Sequence, residues 1–184
     1  MEIKPIKKLK LAQIASWGHN GYVSNQIYEV ESTFEEGKIS FALQLKDLKT
    51  PHKKTWKLTA DDFEDYNEVL EENYSFGAFL NNVMLGFIIC EEMDWNNSLF
   101  IENILVAESQ RGKGIGTQLL QHVLQLAKKK KIRMVELETQ NTNVPAITFY
   151  HKQGFKMSGV NLKHYDPKDD GKEIAVFMAC DIGA

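Results

Sequence analysis

Between residues 99 and 139 the apolar positions of the chain change period twice. Residues 99–106 are apolar on both phases of a two-residue alternation, with Phe100, Glu102, Ile104 and Val106 on one side and Leu99, Ile101, Asn103 and Leu105 on the other, which predicts a central strand. Ile115, Leu119, Val123 and Ala127 then recur every four residues and predict an amphipathic helix over residues 115–131. The lysines at 128–131 fall at its C-terminal end, where cations complement the helix dipole. Residues 134–139 read as a second buried strand. A short helix follows, opened by a capping Asn, with Pro145 early in it and Gly154 as its stop. Phe155 onward and residues 173–180 read as two strands flanking a polar loop, 166–172.

Upstream, Tyr28, Val30, Ser32 and Phe34 alternate with polar residues, as do Ile39, Phe41, Leu43 and Leu45. The two runs predict a hairpin across residues 35–38. Thr59 and Asp62 have capping-box spacing and open a helix to about residue 72, with Phe63, Tyr66 and Leu70 on one face. Residues 75–80 and 83–90, joined at Asn81-Asn82, predict a further hairpin.

Composition narrows the class. The length of 184 residues fits one domain, and 43% apolar content suffices for one packed core. No apolar run reaches membrane length, and the start Met1-Glu2-Ile3-Lys4-Pro5 has no hydrophobic signal core, so the cytoplasm is the expected compartment. Cys90 and Cys180 lie in apolar strand patterns without metal-ligand spacing; they are expected to be reduced core residues, and no metal is expected. A formal charge of -3 argues against generic nucleic-acid binding.

Candidate chemistry starts between the strand at 99–106 and the helix at 115–131. Arg111, Gly112, Lys113, Gly114, Ile115, Gly116 and Thr117 form a glycine-rich run with no Ser, Thr, Asp or Asn before the helix to cap it. The first helical N–H groups therefore await an acceptor from outside the chain, and a diphosphate fits their number and the dipole's sign. A plain surface turn is the competing reading. The dinucleotide fingerprint fails, because Thr117 and Leu119 stand where its third glycine is needed, and no Gly-Lys-Ser/Thr closes a Walker loop.

What remains, Gln/Arg-x-x-Gly-x-Gly/Ala at Arg111, Gly114 and Gly116, resembles the acetyl-CoA loop of the GNAT superfamily of N-acetyltransferases. The order of elements after it is similar to the GNAT core. Phe100 to Ile104, Leu137 to Asn141, Asn143-Val144, Ala146, Phe149-Tyr150 and Gly154-Phe155 resemble the branch containing streptothricin acetyltransferases, except that Asn103 stands where those enzymes carry Asp. The resemblance implies an α/β (α+β) fold of the GNAT type: a mixed, mostly antiparallel central sheet splayed at the acetyl-CoA site, with helices on both faces. It also implies one N-acetyltransferase domain over 1–184, with 1–73 as a variable acceptor-side region and 74–184 as the acetyl-CoA-binding core.

Acetyl-CoA is the cosubstrate so implied, held by the loop, by Asn143 and by backbone groups around Ile104, Leu105 and Val106, which would also polarise the acetyl carbonyl. Asn143 is equally a plain helix cap. Tyr150 matches the tyrosine placed near the coenzyme sulfur and is the candidate acid; the alternative is a packing residue. Glu102 is the candidate base, since a carboxylate in a buried strand is pushed toward a base's working range, unless an Arg or Lys pairs with it. Glu138 is the second candidate. Cys90 is expected to be inert, and His122 and His151 to be solvated.

The expected reaction is direct acetyl transfer in a ternary complex to the primary amine of a small molecule, a streptothricin-like cationic antibiotic among them. Asp61, Asp62, Glu64, Glu91, Glu92 and Asp94 could steer such a cation. Two alternatives stand beside it: a protein N-terminal or lysine acetyltransferase, and a non-catalytic acyl-CoA-binding module. No membrane partner is expected, and the sequence leaves a homodimer open.

Overall fold

Each strand-turn-strand and strand-loop-helix step of the sequence pattern has a counterpart in the computed structural model of the chain, which describes residues 1–166 and 173–183. The elements are β1 (Glu2–Pro5), α1 (Leu11–Ile14), β2 (Gly21–Glu35), β3 (Lys38–Thr55), α2 (Ala60–Val69), β4 (Phe76–Leu80), β5 (Val83–Met93), β6 (Ser98–Val106), α3 (Ile115–Lys130), β7 (Met134–Gln140), α4 (Val144–Lys152), β8 (Lys156–Asn161) and β9 (Ala175–Asp181). Short 3-10 turns follow α2 (Leu70–Glu72) and β6 (Glu108–Gln110). The loop expected at 166–172 lies outside the described residues except for Asp166. Two compact units divide the chain: Met1–Asn20, Thr55–Leu137 and Ala179–Ala184 in the first, Gly21–Lys54 and Glu138–Met178 in the second.

In the first unit the strands lie in the order β1-β4-β5-β6-β7, antiparallel except for the parallel pair β6–β7. The sheet is thus mixed and mostly antiparallel, as the resemblance implied. Phe87 and Ile89 of β5 join Ile6, Leu9, Ile14, Phe63, Leu70 and Leu105 in one cluster on the face covered by α1 and α2. On the opposite face, α3 buries Ile115, Leu119, Leu120, Val123 and Ala127. Each of the Ile, Leu and Val side chains contributes about 1.5–3 kcal/mol over its exposed state. Thr59 caps α2 as expected, its hydroxyl accepting from the Asp62 amide while Asp62 accepts from the Thr59 amide. Asn81 and Asn82, at φ 49° and 63°, make the left-handed turn that the Asn-Asn pair predicts between β4 and β5. The elements β1 and α1 carry no periodicity and escaped the sequence pattern.

In the second unit β2 and β3 form a sheet of their own, and the end of β7 is followed in its sheet by β9 and then β8. Asn141, 2% exposed, holds this unit together: its side chain donates to Tyr28 O (2.9 Å) and accepts from the Ile174 amide (2.8 Å). Glu173 is buried beside it and pairs with Lys54, with the Tyr22 and Thr142 hydroxyls within 3.4 Å and 3.3 Å. Beyond this anchor the hairpin runs much further than its alternation predicts. Its apolar phase lies open, with Phe34 79%, Ile39 60%, Phe41 48% and Leu45 44% exposed.

Candidate functional site

The turn between β6 and α3 is built by its glycines. Gly112 and Gly114 sit at φ 76° and 81°, a region that costs any side chain bearing Cβ, and a Cβ at either would meet nothing within 4 Å. The backbone conformation, not crowding, therefore requires glycine, and the space beside both residues is open. Gly114 is the N-cap of α3 and no side chain caps the helix. The first helical hydrogen bond is Gln118 N–H to Gly114 O (3.0 Å), so the amides of Ile115, Gly116 and Thr117 precede the helical ladder. This is the arrangement a diphosphate needs. The cations of the loop are spent locally: Arg111 donates from Nε to Val106 O (3.1 Å) and from its fork to His19 O, and Lys113 donates to Gln110 Oε1 (3.1 Å).

Sequence reasoning missed the brace behind this loop. The Glu108 amide donates to Trp17 O (2.7 Å), and the Glu108 carboxylate accepts from the His19 amide (2.9 Å). A Cβ on Gly18 would lie 2.3 Å from that carboxylate. Only Gly18, in a Trp-Gly-His run, signalled a close approach.

Upstream of the turn, β6 departs from the two-sided burial expected of it. Leu99, Ile101 and Leu105 are buried, whereas Phe100, Ile104 and Val106 are half-buried and Glu102 is exposed. The register with β5 slips between Ile89–Asn103 and Cys90–Ile101, leaving Glu102 as the extra residue of a β-bulge. Bulges re-aim side chains, and short runs give no sequence signal for them. The parallel register with β7 runs from Ser98–Met134 to Ile101–Leu137, and residues 102–106 continue beyond it, paired with β5. Gly86, opposite Val106, allows the close approach at that end: a Cβ there would lie 2.9 Å from Leu105 O. No Arg or Lys pairs with Glu102 among the described residues. Desolvation, and then the charge of and a hydrogen bond with Glu91, push its carboxyl up to about 7. Asn103 donates to the Tyr66 hydroxyl (2.7 Å).

The second unit carries the remaining candidates. Asn143 caps α4 by accepting from the Ala146 amide (3.2 Å), and its NH2 donates to Thr139 Oγ1 (3.3 Å), so both ends of the amide are used within the chain. Of the neighbouring aromatics on α4, Tyr150 is buried and Phe149 half-buried. The Tyr150 ring lies 5.1 Å from that of Phe149 and 5.6 Å from that of Phe155. Glu138, half-buried on β7, accepts a hydrogen bond from the Tyr165 hydroxyl; desolvation raises its carboxyl above the ordinary value despite that bond. Burial pushes the Cys90 thiol far up, which keeps it protonated, as expected of an inert core cysteine. Cys180 is half-buried rather than a core residue, and His122 is half-buried rather than fully solvated, edge-on to Phe76 at 4.4 Å. His151 is exposed.

Comparisons with known proteins point to one family. The acetyltransferase (GNAT) family profile matches residues 41–155. A streptothricin acetyltransferase of Escherichia coli is 30% identical over 146 residues, 79% of this chain and 76% of that protein. Streptothricin acetyltransferase A of Bacillus subtilis (strain 168) is 36% identical over 123 residues, 66% of this chain and 70% of that protein. Among solved structures, a nourseothricin acetyltransferase has a similar fold, with a TM-score of 0.77 at 21% identity over 99% of this chain and 98% of that one. A Bacillus anthracis str. Ames protein assigned as a streptothricin acetyltransferase, solved with acetyl coenzyme A, gives a TM-score of 0.72 at 25% identity over 98% of this chain and 99% of that one.

Proposed function

The chain belongs to the acetyltransferase (GNAT) family and is an acetyl-CoA-dependent N-acetyltransferase, and from that premise we propose that it transfers acetyl directly, in a ternary complex, to the primary amine of a small cationic acceptor of the streptothricin type. The observation that carries the donor side is the uncapped start of α3 behind two positive-φ glycines. The amides of Ile115, Gly116 and Thr117 hold the diphosphate, the backbone of Gly112, Lys113 and Gly114 follows it, and Lys113 adds charge at the rim. Arg111 acts by closing the loop onto Val106 O and His19 O rather than by meeting phosphate. Backbone groups of Ile104, Leu105 and Val106 polarise the acetyl carbonyl, and Asn143, whose amide is spent on Ala146 and Thr139, serves first as the cap of α4.

The amine attacks the thioester carbonyl as a neutral nucleophile, the carbon–sulfur bond breaks, and the departing thiolate takes a proton from Tyr150. Glu102, whose carboxyl is raised into the working range, removes the acceptor's proton; Glu138 is the second candidate for that step. The acceptor assignment follows from the similarity to streptothricin acetyltransferases and from the acidic surroundings of Glu102.

Thiol release from acetyl-CoA, measured with streptothricin, a panel of simple primary amines and N-terminal peptides, tests the reading. Turnover with the antibiotic or a small amine is expected. Turnover with peptides alone would replace it with a protein acetyltransferase.

A further inference from the structure

Tyr165 stands just before the undescribed residues, at a position that no motif marks. Its hydroxyl is used twice: it donates to Glu138 Oε1 and accepts from Gln140 Nε2 (2.9 Å). Glu138 and Gln140 are two apart on β7, so they share a face of the strand and one hydroxyl bridges them. Gln140 is 9% exposed, and its side-chain carbonyl oxygen has no hydrogen-bond partner among the described residues. Glu138 is half-buried and, among the described residues, has no cationic partner within ion-pair distance. The nearby ammonium, Lys54 Nζ, is committed to Glu173 and lies 5.6 Å over the Tyr165 ring. A half-buried carboxylate whose hydrogen-bond donor among the described residues is a neutral phenol retains its attraction for an external cation.

The geometry points to Tyr165 as the residue that positions the Glu138 carboxylate to hold the ammonium group of the acceptor. This rests on the proposed amine acceptor and adds to it a second carboxylate role, distinct from proton removal at Glu102. Tyr165 touches no substrate; it acts through Glu138. The hydroxyl donates to the charged form of Glu138 and so opposes the rise that burial causes. The other groups acting on Glu138 are His164 and Lys54, which favour the carboxylate, and Glu173, which disfavours it. Removing the hydroxyl therefore makes Glu138 protonate at higher pH.

The test is steady-state kinetics of Tyr165→Phe with the amine that the unaltered chain turns over best. The acceptor KM is expected to rise about tenfold or more, the effect of one lost hydrogen bond to a charged group, while the acetyl-CoA KM stays put. The pH at which acceptor KM deteriorates on acidification should move upward. Glu138→Gln should raise the same KM further and abolish that pH dependence, and adding Tyr165→Phe to it should change nothing more. An unchanged acceptor KM and pH profile in Tyr165→Phe, or equal changes in both KM values, would overturn the assignment. Should Tyr165→Phe not fold, Gln140→Leu removes the other end of the bridge and must raise acceptor KM in the same direction, or the proposal fails. Absence of thiol release by the unaltered chain with every amine removes the proposed function itself, and this inference with it, whereas normal turnover with a silent Tyr165→Phe removes only the inference.

Discussion

The helices α3 and α4 begin in opposite ways. At α4 the protein supplies its own acceptor, since Asn143 Oδ1 takes the Ala146 amide and the helix start is closed. At α3 the cap is Gly114 at φ 81°, no side chain substitutes for it, and the space where a Cβ would stand is open. A closed start costs nothing in water and fixes the helix that carries Tyr150. An open start leaves amide groups whose natural complement is an anion. The difference separates binding from chemistry: changes at α3 should act on coenzyme affinity, and changes on α4 on turnover or stability.

The sharpest way to break this separation is Gly114→Asp. Asp enters the left-handed region more readily than most residues, so the fold should persist, but its carboxylate would occupy the anion's place. Coenzyme affinity measured by calorimetry should fall by about 100-fold or more, a scale consistent with placing like charge against a diphosphate at a helix start. Affinity within a factor of three of the unaltered chain would mean that the open start of α3 is not the coenzyme site. Next in size is Tyr150→Phe, which keeps the packing of the ring against Phe149 and Phe155 and removes only the hydroxyl. The kcat should drop by about 10²-fold, the usual yield of a positioned acid, with coenzyme affinity unmoved. Should affinity change and kcat hold, Tyr150 belongs with the binding elements and the division between the helices is wrong.

The sequence made the open helix start legible because its signals are local. Three glycines, a missing cap and a four-residue apolar stripe all lie within one stretch of chain, and each has a single backbone meaning. The Thr59–Asp62 box and the Asn81-Asn82 turn were readable for the same reason. Glu102 was named from its strand, but its setting was not foreseen: the bulge that re-aims it depends on the register with β5, and Glu91 reaches it only across that pairing. The hairpin shows the opposite failure. Its alternation is regular, yet Phe34 and Ile39 stay exposed, because a period of two states which side chains share a face and not what covers that face. Tyr165 escaped since the partners of its hydroxyl lie 25 and 27 residues away on β7.

Asn143→Ala tests the closed helix start. The loss should appear as about 1 kcal/mol of stability, the ordinary cost of removing an Asn cap, read as a lower urea midpoint. Catalytic constants per folded molecule should change far less than in Tyr150→Phe. A collapse of coenzyme affinity with unchanged stability would instead make the Asn143 side chain a coenzyme ligand first and a cap second.

The smallest effect is expected at Glu102, where the two consequences of a raised carboxyl can be measured separately. Its folded-state value is pushed to about 7 by desolvation and Glu91, above the 4.5 of an ordinary glutamate. The folded chain therefore holds this proton more tightly than the unfolded chain does. The stability contribution is fully present below the unfolded value and is lost as pH rises through the folded one. Glu102→Gln removes that loss, so the variant should gain stability over the unaltered chain at pH 8 but not at pH 4. Because the side chain is exposed, solvent screening reduces the gain to about 1 kcal/mol or less. The same substitution should flatten the acidic limb of kcat/KM if Glu102 takes the acceptor's proton. Equal urea midpoint shifts at pH 4 and pH 8 would refute the raised carboxyl, and a persisting acidic limb would transfer the base role to Glu138, moving the proton step onto the strand that leads into α4.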